Sequence, residues 1–374
     1  MSGIREAWPD RFAAEETGDM TGRIPRFTLE GVSGTDVSER LFATEDGLGL
    51  SLTRFHRADC DDVVLLIHGL TLSRDMFIMP EHPNLVSYLL DHGFTDVWAL
   101  DFRMSNRFPY DTETHRFTLD DVAALDHPAA LRALREVVGD RRIHVIAHCL
   151  GSVTFMMSLF AGQIDQITSI VSNSVSLHPR VPAWARLKLR FGPGLAEYGL
   201  GMPVLDPRFG SAPWFTRRRL FSRAVSLFHR ECGDPACHLL SFMWGSGKPA
   251  MFAHEQVEDV THERMADLCG PCGVHYYRHV HKMVKAGWAV PFDGITDTDP
   301  DTDIETPILF LTGSDNHVFT DSNIVTHDTL DQAHPGRHEL RILPGYGHVD
   351  PFIGKNAHRD VFPHIVEFLT KRAI

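Results

Sequence analysis

Short apolar runs alternate with amphipathic stretches along most of this chain. In "LFATEDGLGLSLTRFHR" (41–57), an apolar start precedes Asp46-Gly47 and apolar–polar alternation follows it along Leu48–Leu52. That pattern predicts two strands joined by a tight turn. "DVVLLIHG" (62–69) and "DVWALDF" (96–102) are short, nearly continuous apolar runs, which predict strands buried on both faces of a sheet. "IHVIAHC" (143–149), "ITSIVSNSVS" (167–176), "PILFLTG" (307–313) and "HELRILPG" (338–345) are further predicted strands. Helical periodicity marks "VAALDHPAALRALREVVG" (122–139) and "RDVFPHIVEFLTKR" (359–372), while "LGSVTFMMSLFAG" (150–162) is apolar nearly all round, as a buried helix is. Strand–helix alternation predicts an α/β fold, a mostly parallel sheet with helices on both faces.

The alternation stops between the strand near 176 and the one at 307. Residues 179–303 are rich in aromatics, Met, Pro and Arg, with helical patches such as "WFTRRRLFSRAVSLFHR" (214–230). Since the last two strands follow this stretch, it is expected to be a helical cap inserted into one sheet domain. The predicted organisation is an N-terminal extension (1–37), a core in two pieces (38–178 and 304–374) and the cap (179–303). Trp184, Trp214, Phe215, Phe221, Phe228, Phe242, Met243 and Trp244 are too many large apolar groups for a solvated linker. Some of them are expected to pack against each other as cap helices, and the cap is expected to wall a deep acyl pocket. "GITDTDPDTDIE" (294–305) lacks the glycine and closing glutamate of a calcium loop and is expected to be a solvated linker.

The 374 residues, 43% apolar and 23% charged, suit a globular protein with a sizeable core. A net charge of −13 without a basic run argues against nucleic acid as partner. The N-terminus carries no secretory pattern, and no apolar stretch reaches the ~18 residues that a membrane span needs. Six cysteines over this length do not suggest a disulfide framework. A reduced, cytoplasmic protein acting on a small molecule is the expectation.

"VIAHCLGS" (145–152) carries the candidate chemistry. A buried strand, a turn flanked by small residues and an apolar helix form a nucleophile elbow, here A-x-C-x-G with Cys149 at its apex, between Ala147 and Gly151. The helix N-terminus is expected to stabilise the thiolate and lower its pKa. The N–H of Leu150 and that of Leu70, in "IHGLT" (67–71), are the expected oxyanion donors. Asp315, in "FLTGSDNHVF", and His348, in "RILPGYGHVD", follow the last two predicted strands. They are the expected orienting acid and general base. His317 competes with His348, and Asp350 with Asp315. His148 is expected to be structural, and Asp101 to pair with Arg103.

From about 40 to 372 the chain resembles the α/β-hydrolase superfamily. Within it, "DFRMSN", "AHCLGS", "CGDPACH" and "PGYGHVDPFIGKNAHRDVFPHIVEFL" resemble the hydrolase modules associated with cholesterol-oxidase-type flavoproteins of the glucose–methanol–choline class. That resemblance implies the cysteine elbow and lipid- or sterol-like acyl substrates. No flavin is implied, since no G-x-G-x-x-G follows the N-terminal strands, and no cofactor is expected. Polyhydroxyalkanoate synthases and dienelactone hydrolases also resemble the chain at the cysteine elbow. The expected function is cleavage of an ester or thioester through an acyl-cysteine. Transfer of the acyl group to an alcohol, amine or growing chain is the alternative, and a non-catalytic binding protein a third.

Four other cysteines lie in the cap: Cys232, Cys237 and the pair in "CGPC" (269–272), with His238, His275 and His279 nearby. Zinc ligation and a redox C-x-x-C are the chemical readings, and ordinary packing without a metal is the expectation.

Overall fold

The computed structural model describes residues 29–293, 298 and 302–373. Most of the expected N-terminal extension, and Asp297, Asp299 and Asp301 of the acidic stretch, lie outside the described residues. Eight strands form one sheet: β1 (Asp36–Ala43), β2 (Gly49–His56), β3 (Asp62–Ile67), β4 (Asp96–Asp101), β5 (Arg142–His148), β6 (Ser169–Asn173), β7 (Ile308–Gly313) and β8 (Glu339–Leu343). Their spatial order is β1-β2-β4-β3-β5-β6-β7-β8. The β1–β2 hairpin joins by antiparallel pairing, and the pairs from β4 to β8 are parallel. Strands β3, β5 and β6 occupy the middle, and Val63, Leu65, Ile67, Val145, Ala147 and Val171 are fully buried there. Strand β3 reads as an unbroken apolar run from Val63 to Ile67 because helices cover both faces of the sheet there.

Helices α1 (Leu85–Asp91), α2 (His127–Val138) and α3 (Cys149–Phe160) fill the crossovers of the first half. In α2, Ala130, Leu131, Leu134 and Val138 are buried while Arg132 and Glu136 are exposed, which is the amphipathic spacing read from sequence. Helix α3 is buried on every side from Leu150 to Phe160.

Between β6 and β7 the chain builds α4 (Ala183–Gly194), α5 (Arg217–Ser226), α6 (Pro235–Trp244) and α7 (Val274–Ala286), plus a two-residue strand pair, Val204–Leu205 with Cys272–Gly273. Helices α8 (Ser322–Ala333) and α9 (Phe362–Thr370) complete the core. Among the described residues no helix is long and apolar enough to cross a membrane. The eight aromatic and Met side chains expected to pack within the insertion divide. Phe221, Phe242, Met243 and Trp244 face inward, whereas Trp184, Trp214, Phe215 and Phe228 are exposed. Arginines cover part of that outer face: the Arg223 guanidinium lies 3.4 Å from the Trp214 ring centre.

Candidate active site

Strand β5 ends at His148 and α3 begins at Cys149, whose φ of +53° is a conformation that side chains other than glycine rarely adopt. Holding it costs on the order of 1–3 kcal/mol, which the surrounding packing must supply. Two glycines make the turn fit. A Cβ on Gly151 would lie 2.0 Å from the His68 carbonyl oxygen, and one on Gly69 would lie 2.9 Å from the Cys149 Cβ. The sequence therefore needs its smallest residues where the helix passes the β3 loop.

That loop is fixed from below by ion pairs. Asp101, at the end of β4, accepts from the Arg74 N–H at 3.1 Å and the Ser105 hydroxyl at 2.8 Å, and it pairs with the Arg74 guanidinium at 3.2 Å. His68 stands 3.5 Å from the same carboxylate and stacks on Phe102. Burial opposes ionisation of Asp101, but His68, Arg74 and Arg107 together hold it well below the usual carboxylate range. The pairing expected between Asp101 and Arg103 is not made. Arg103 reaches back to Asp126 at 2.6 Å and Asp46 at 3.0 Å. The arrangement brings Leu70, in the loop after β3, and Leu150, at the start of α3, beside Cys149, where their N–H groups pull its pKa down against burial.

His348 lies in the loop after β8, buried, with its N–H donated to the Met251 carbonyl at 3.0 Å and its carbonyl accepting from the Ser174 hydroxyl at 2.8 Å. The nearest ring nitrogens of His148 and His348 and the Cys149 sulfur all lie within 4.8 Å of one another. The His348 ring makes no hydrogen bond at either nitrogen. Asp315 is exposed, its carboxylate accepts from Ser314 at 3.2 Å, and it makes no bond to His348. The loop after β7 instead turns the next side chain inward. Asn316 is buried and accepts from the N–H groups of Val318 and Phe319 at 3.1 and 3.0 Å. Asp350 holds the base loop in place, accepting from the Gly347 N–H at 2.8 Å and the Ala253 N–H at 3.2 Å, and burial pushes it up to about 7. His317, the other candidate base, is exposed. The structure thus brings Cys149, His348, Leu70 and Leu150 together and leaves Asp315 apart.

His148 belongs to the site as well as to the turn. The Asn173 amide donates to its Nδ1 at 2.8 Å, which places the ring proton on Nε2, and that atom is buried without a partner. The adjacent His-Cys dipeptide is the signal in the sequence that points to it.

The thiol was expected to be acidified by the helix N-terminus, and the opposite holds. Burial pushes Cys149 up to about 12 against the pull of the Leu150 and Leu70 N–H groups, and burial takes His348 down to about 3. Desolvation outweighs the dipole because the sulfur sits at the base of an apolar cavity. Thiol and imidazole are both neutral at rest.

That cavity measures about 120 Å³ and is lined by Phe221, Phe242, Met243 and Trp244 from the insertion and by Val318 and Phe319 beside the base. Its wall also carries Lys188, whose ammonium donates to the Phe242 carbonyl at 2.6 Å and to that of Gly245. Burial lowers Lys188 to about 8.

"CGPC" is tied to the loop after β3. Gly270 donates its N–H to the Thr71 carbonyl at 2.7 Å, and the Asn106 amide donates to the Leu268 carbonyl at 2.8 Å. Cys269 and Cys272 are free and buried, and His279 bonds to the Val290 carbonyl at 3.0 Å, so these residues do not converge on one centre.

Comparisons with known proteins follow this geometry. A family model described as "Alpha/beta hydrolase family" matches residues 64–361. A curated relative, Triacylglycerol lipase 1 of Arabidopsis thaliana, is 24% identical over 365 residues, covering 88% of this chain and 86% of its own. The fold is similar to a thermostable carboxyl esterase from Bacillus coagulans, with a TM-score of 0.60, 14% identity and coverage of 90% of this chain and 99% of that one. It is also similar to an esterase of Pyrococcus furiosus, with a TM-score of 0.52, 17% identity and coverage of 94% and 96%. With that model spanning most of its length, the chain belongs to the alpha/beta hydrolase family.

Proposed function

We propose that the protein cleaves an ester or thioester of an apolar acyl group through an acyl-Cys149 intermediate. The observation that carries this reading is Cys149 held at φ +53° on a strand-to-helix turn, within 4.8 Å of a His348 ring nitrogen and lining an apolar cavity. A thiol that only packs has no need of so strained a turn, whereas a nucleophile presented to a substrate does, and the N–H groups of Leu70 and Leu150 are assigned as the two oxyanion donors beside it. In the first step the Cys149 sulfur attacks the acyl carbon while its proton passes to the His348 imidazole. The carbonyl oxygen takes up negative charge between the two donors. Collapse expels the alcohol or thiol, which leaves with the proton from His348. Water then attacks the thioester, gives a proton to His348, and releases the acid as the thiol is restored.

The catalytic assignment rests on Cys149 and His348. Asp315 as the orienting acid belongs to the same proposal only with its carboxylate turned onto the imidazole, and in the geometry described that carboxylate is exposed. The helices of residues 179–303 act as the cap that closes the acyl site. A cavity of about 150 Å³ accepts a benzene-sized guest, so the space here suits an acyl chain of about six carbons. Lys188, committed to two carbonyls, does not call for an acidic tail. Similarity to a triacylglycerol lipase and to a carboxyl esterase supports the ester class. One observation favours transfer to an alcohol or amine as a second reading: surroundings dry enough to keep the thiol neutral also keep water from the thioester.

The test is a series of p-nitrophenyl esters and acyl thioesters from acetyl to dodecanoyl, assayed with the wild type and Cys149→Ala. The proposal expects a maximum at medium chain length and no turnover in the variant. Equal rates across the series, or turnover surviving in Cys149→Ala, would overturn it.

A further inference from the structure

The insertion gathers a second set of thiols and imidazoles, remote in sequence from Cys149. Cys232 lies between α5 and α6, and Cys237 is in the first turn of α6. His254 follows in a single turn (His254–Gln256) and His262 in a short helix (Asp259–Glu263). Their two sulfurs and one ring nitrogen from each histidine all lie within 4.8 Å of one another. The Cys237 sulfur is 3.6 Å from His254 Nε2, and the His254 and His262 rings meet edge to face with centres 4.9 Å apart.

Ordinary packing does not explain this cluster. His262 Nε2 is buried and makes no hydrogen bond, although buried polar groups are almost always paired. Cys237 is wholly buried at the same point. Neighbouring groups hold the ligands in place without occupying the centre. Asp234 accepts from the N–H groups of Ala236 and Cys237 at 2.9 and 3.2 Å. His238 bonds to the Ser226 hydroxyl and the Cys232 carbonyl at 2.9 and 3.0 Å. Tetrahedral zinc, with sulfur at about 2.3 Å and nitrogen at about 2.0 Å, sets its ligand atoms about 3.3–3.8 Å apart. The 3.6 Å pair already meets that spacing, and the wider ones close by small side-chain rotations.

We propose that Cys232, Cys237, His254 and His262 form a closed tetrahedral site for one zinc ion. Two thiolates and two neutral imidazoles neutralise the dication, and the two thiol protons leave to solvent. Four protein ligands leave no open position, so the ion is structural. Its place in the fold gives it a further effect. The stretch between α6 and His262 crosses the base loop: the Met251 carbonyl accepts from His348 and Val349, and the Ala253 N–H is held by Asp350. The Gln256 side chain donates to the Gly345 carbonyl at 3.1 Å, and its own carbonyl accepts from Lys355. Zinc on His254 and His262 pins this strap at two points to Cys232 and Cys237 and so steadies the loop that carries His348.

The test uses the full chain purified without a chelating tag and needs no substrate. Elemental analysis should find one zinc per chain. Replacement by cobalt(II) should give the visible bands of tetrahedral coordination and a thiolate charge-transfer band. Cys237→Ser should lose both signals. Cys60→Ser, at a thiol bonded to the Asp62 carbonyl, should keep them, and so should Cys149→Ala. Should Cys237→Ser not fold, a chelator titration of the wild type answers instead, with a fall in Tm that zinc reverses. A wild type that retains no zinc and gives no cobalt–thiolate band would overturn the proposal. Loss of the metal in Cys149→Ala would overturn it too, by moving the ion to the His148–Cys149–His348 cluster.

Discussion

Lowering the pH exposes how strongly burial controls His348. Its imidazole is brought from an ordinary 6.5 to about 3 by burial, with neither ring nitrogen bonded. A histidine kept neutral in this way contributes stability that is complete above pH 6.5 and is lost as pH falls towards 3, because the unfolded chain binds the proton first. Between pH 7.5 and 5 the loss assigned to this one group works out at about 2 kcal/mol. Other buried histidines, such as His127 at about 3 and His338 at about 4, add losses of the same sign. The informative quantity is therefore a double difference. Urea unfolding of the wild type and of His348→Gln at both pH values should show the variant losing about 2 kcal/mol less than the wild type. Glutamine keeps a polar side chain of similar size and cannot take up the proton. Equal losses in the two proteins would refute the claim that His348 is desolvated and unpaired.

The same neutrality shapes catalysis. With the base near 3 and the thiol near 12, kcat/KM should stay level from pH 5 to 9, and a limb between pH 6 and 7 would show a base that is not held neutral. Gly151→Ala should cost at least about 100-fold in kcat/KM, since the added Cβ meets the His68 carbonyl at 2.0 Å and displaces either the oxyanion loop or the elbow. A fold-intact variant at wild-type rate would contradict that. Asn316→Ala should lower unfolding stability by about 1–3 kcal/mol through two buried N–H groups left without an acceptor. Asp315→Ala should change stability by less than about 0.5 kcal/mol, as surface changes do. A reversed order would show Asp315 to be the inward-facing member of the loop.

Much of this architecture is legible in the chain itself. Strands β3 and β4 are short apolar runs because both faces are covered, and the hairpin announces itself at Asp46-Gly47. The elbow is equally plain, since Ala147 and Gly151 flank Cys149 between a buried strand and a buried helix. What the chain hides depends on direction and dryness. Asp315 and Asn316 are neighbours, and nothing in their spacing says that the loop turns Asn316 inward and Asp315 out. The raised pKa of the thiol is hidden for a related reason. A helix N-terminus is visible in sequence, but the apolar wall that overrides it comes from α4 to α7, far along the chain. The same distance conceals the pairing of Cys232 and Cys237 with His254 and His262, whose spacing matches no familiar zinc motif. Which of the large apolar residues of the insertion turn outward is hidden in the same way: Trp184, Trp214, Phe215 and Phe228 lie at the surface.

The central claim is that Cys149 becomes acylated. Intact-protein mass spectrometry after brief exposure to hexanoyl esters and thioesters, followed by peptide mapping, tests it most directly. The account predicts one hexanoyl adduct, located on the peptide containing Cys149, formed by the wild type and absent from Cys149→Ala. Turnover of these substrates with no adduct on that peptide, and at an undiminished rate in Cys149→Ala, would contradict it.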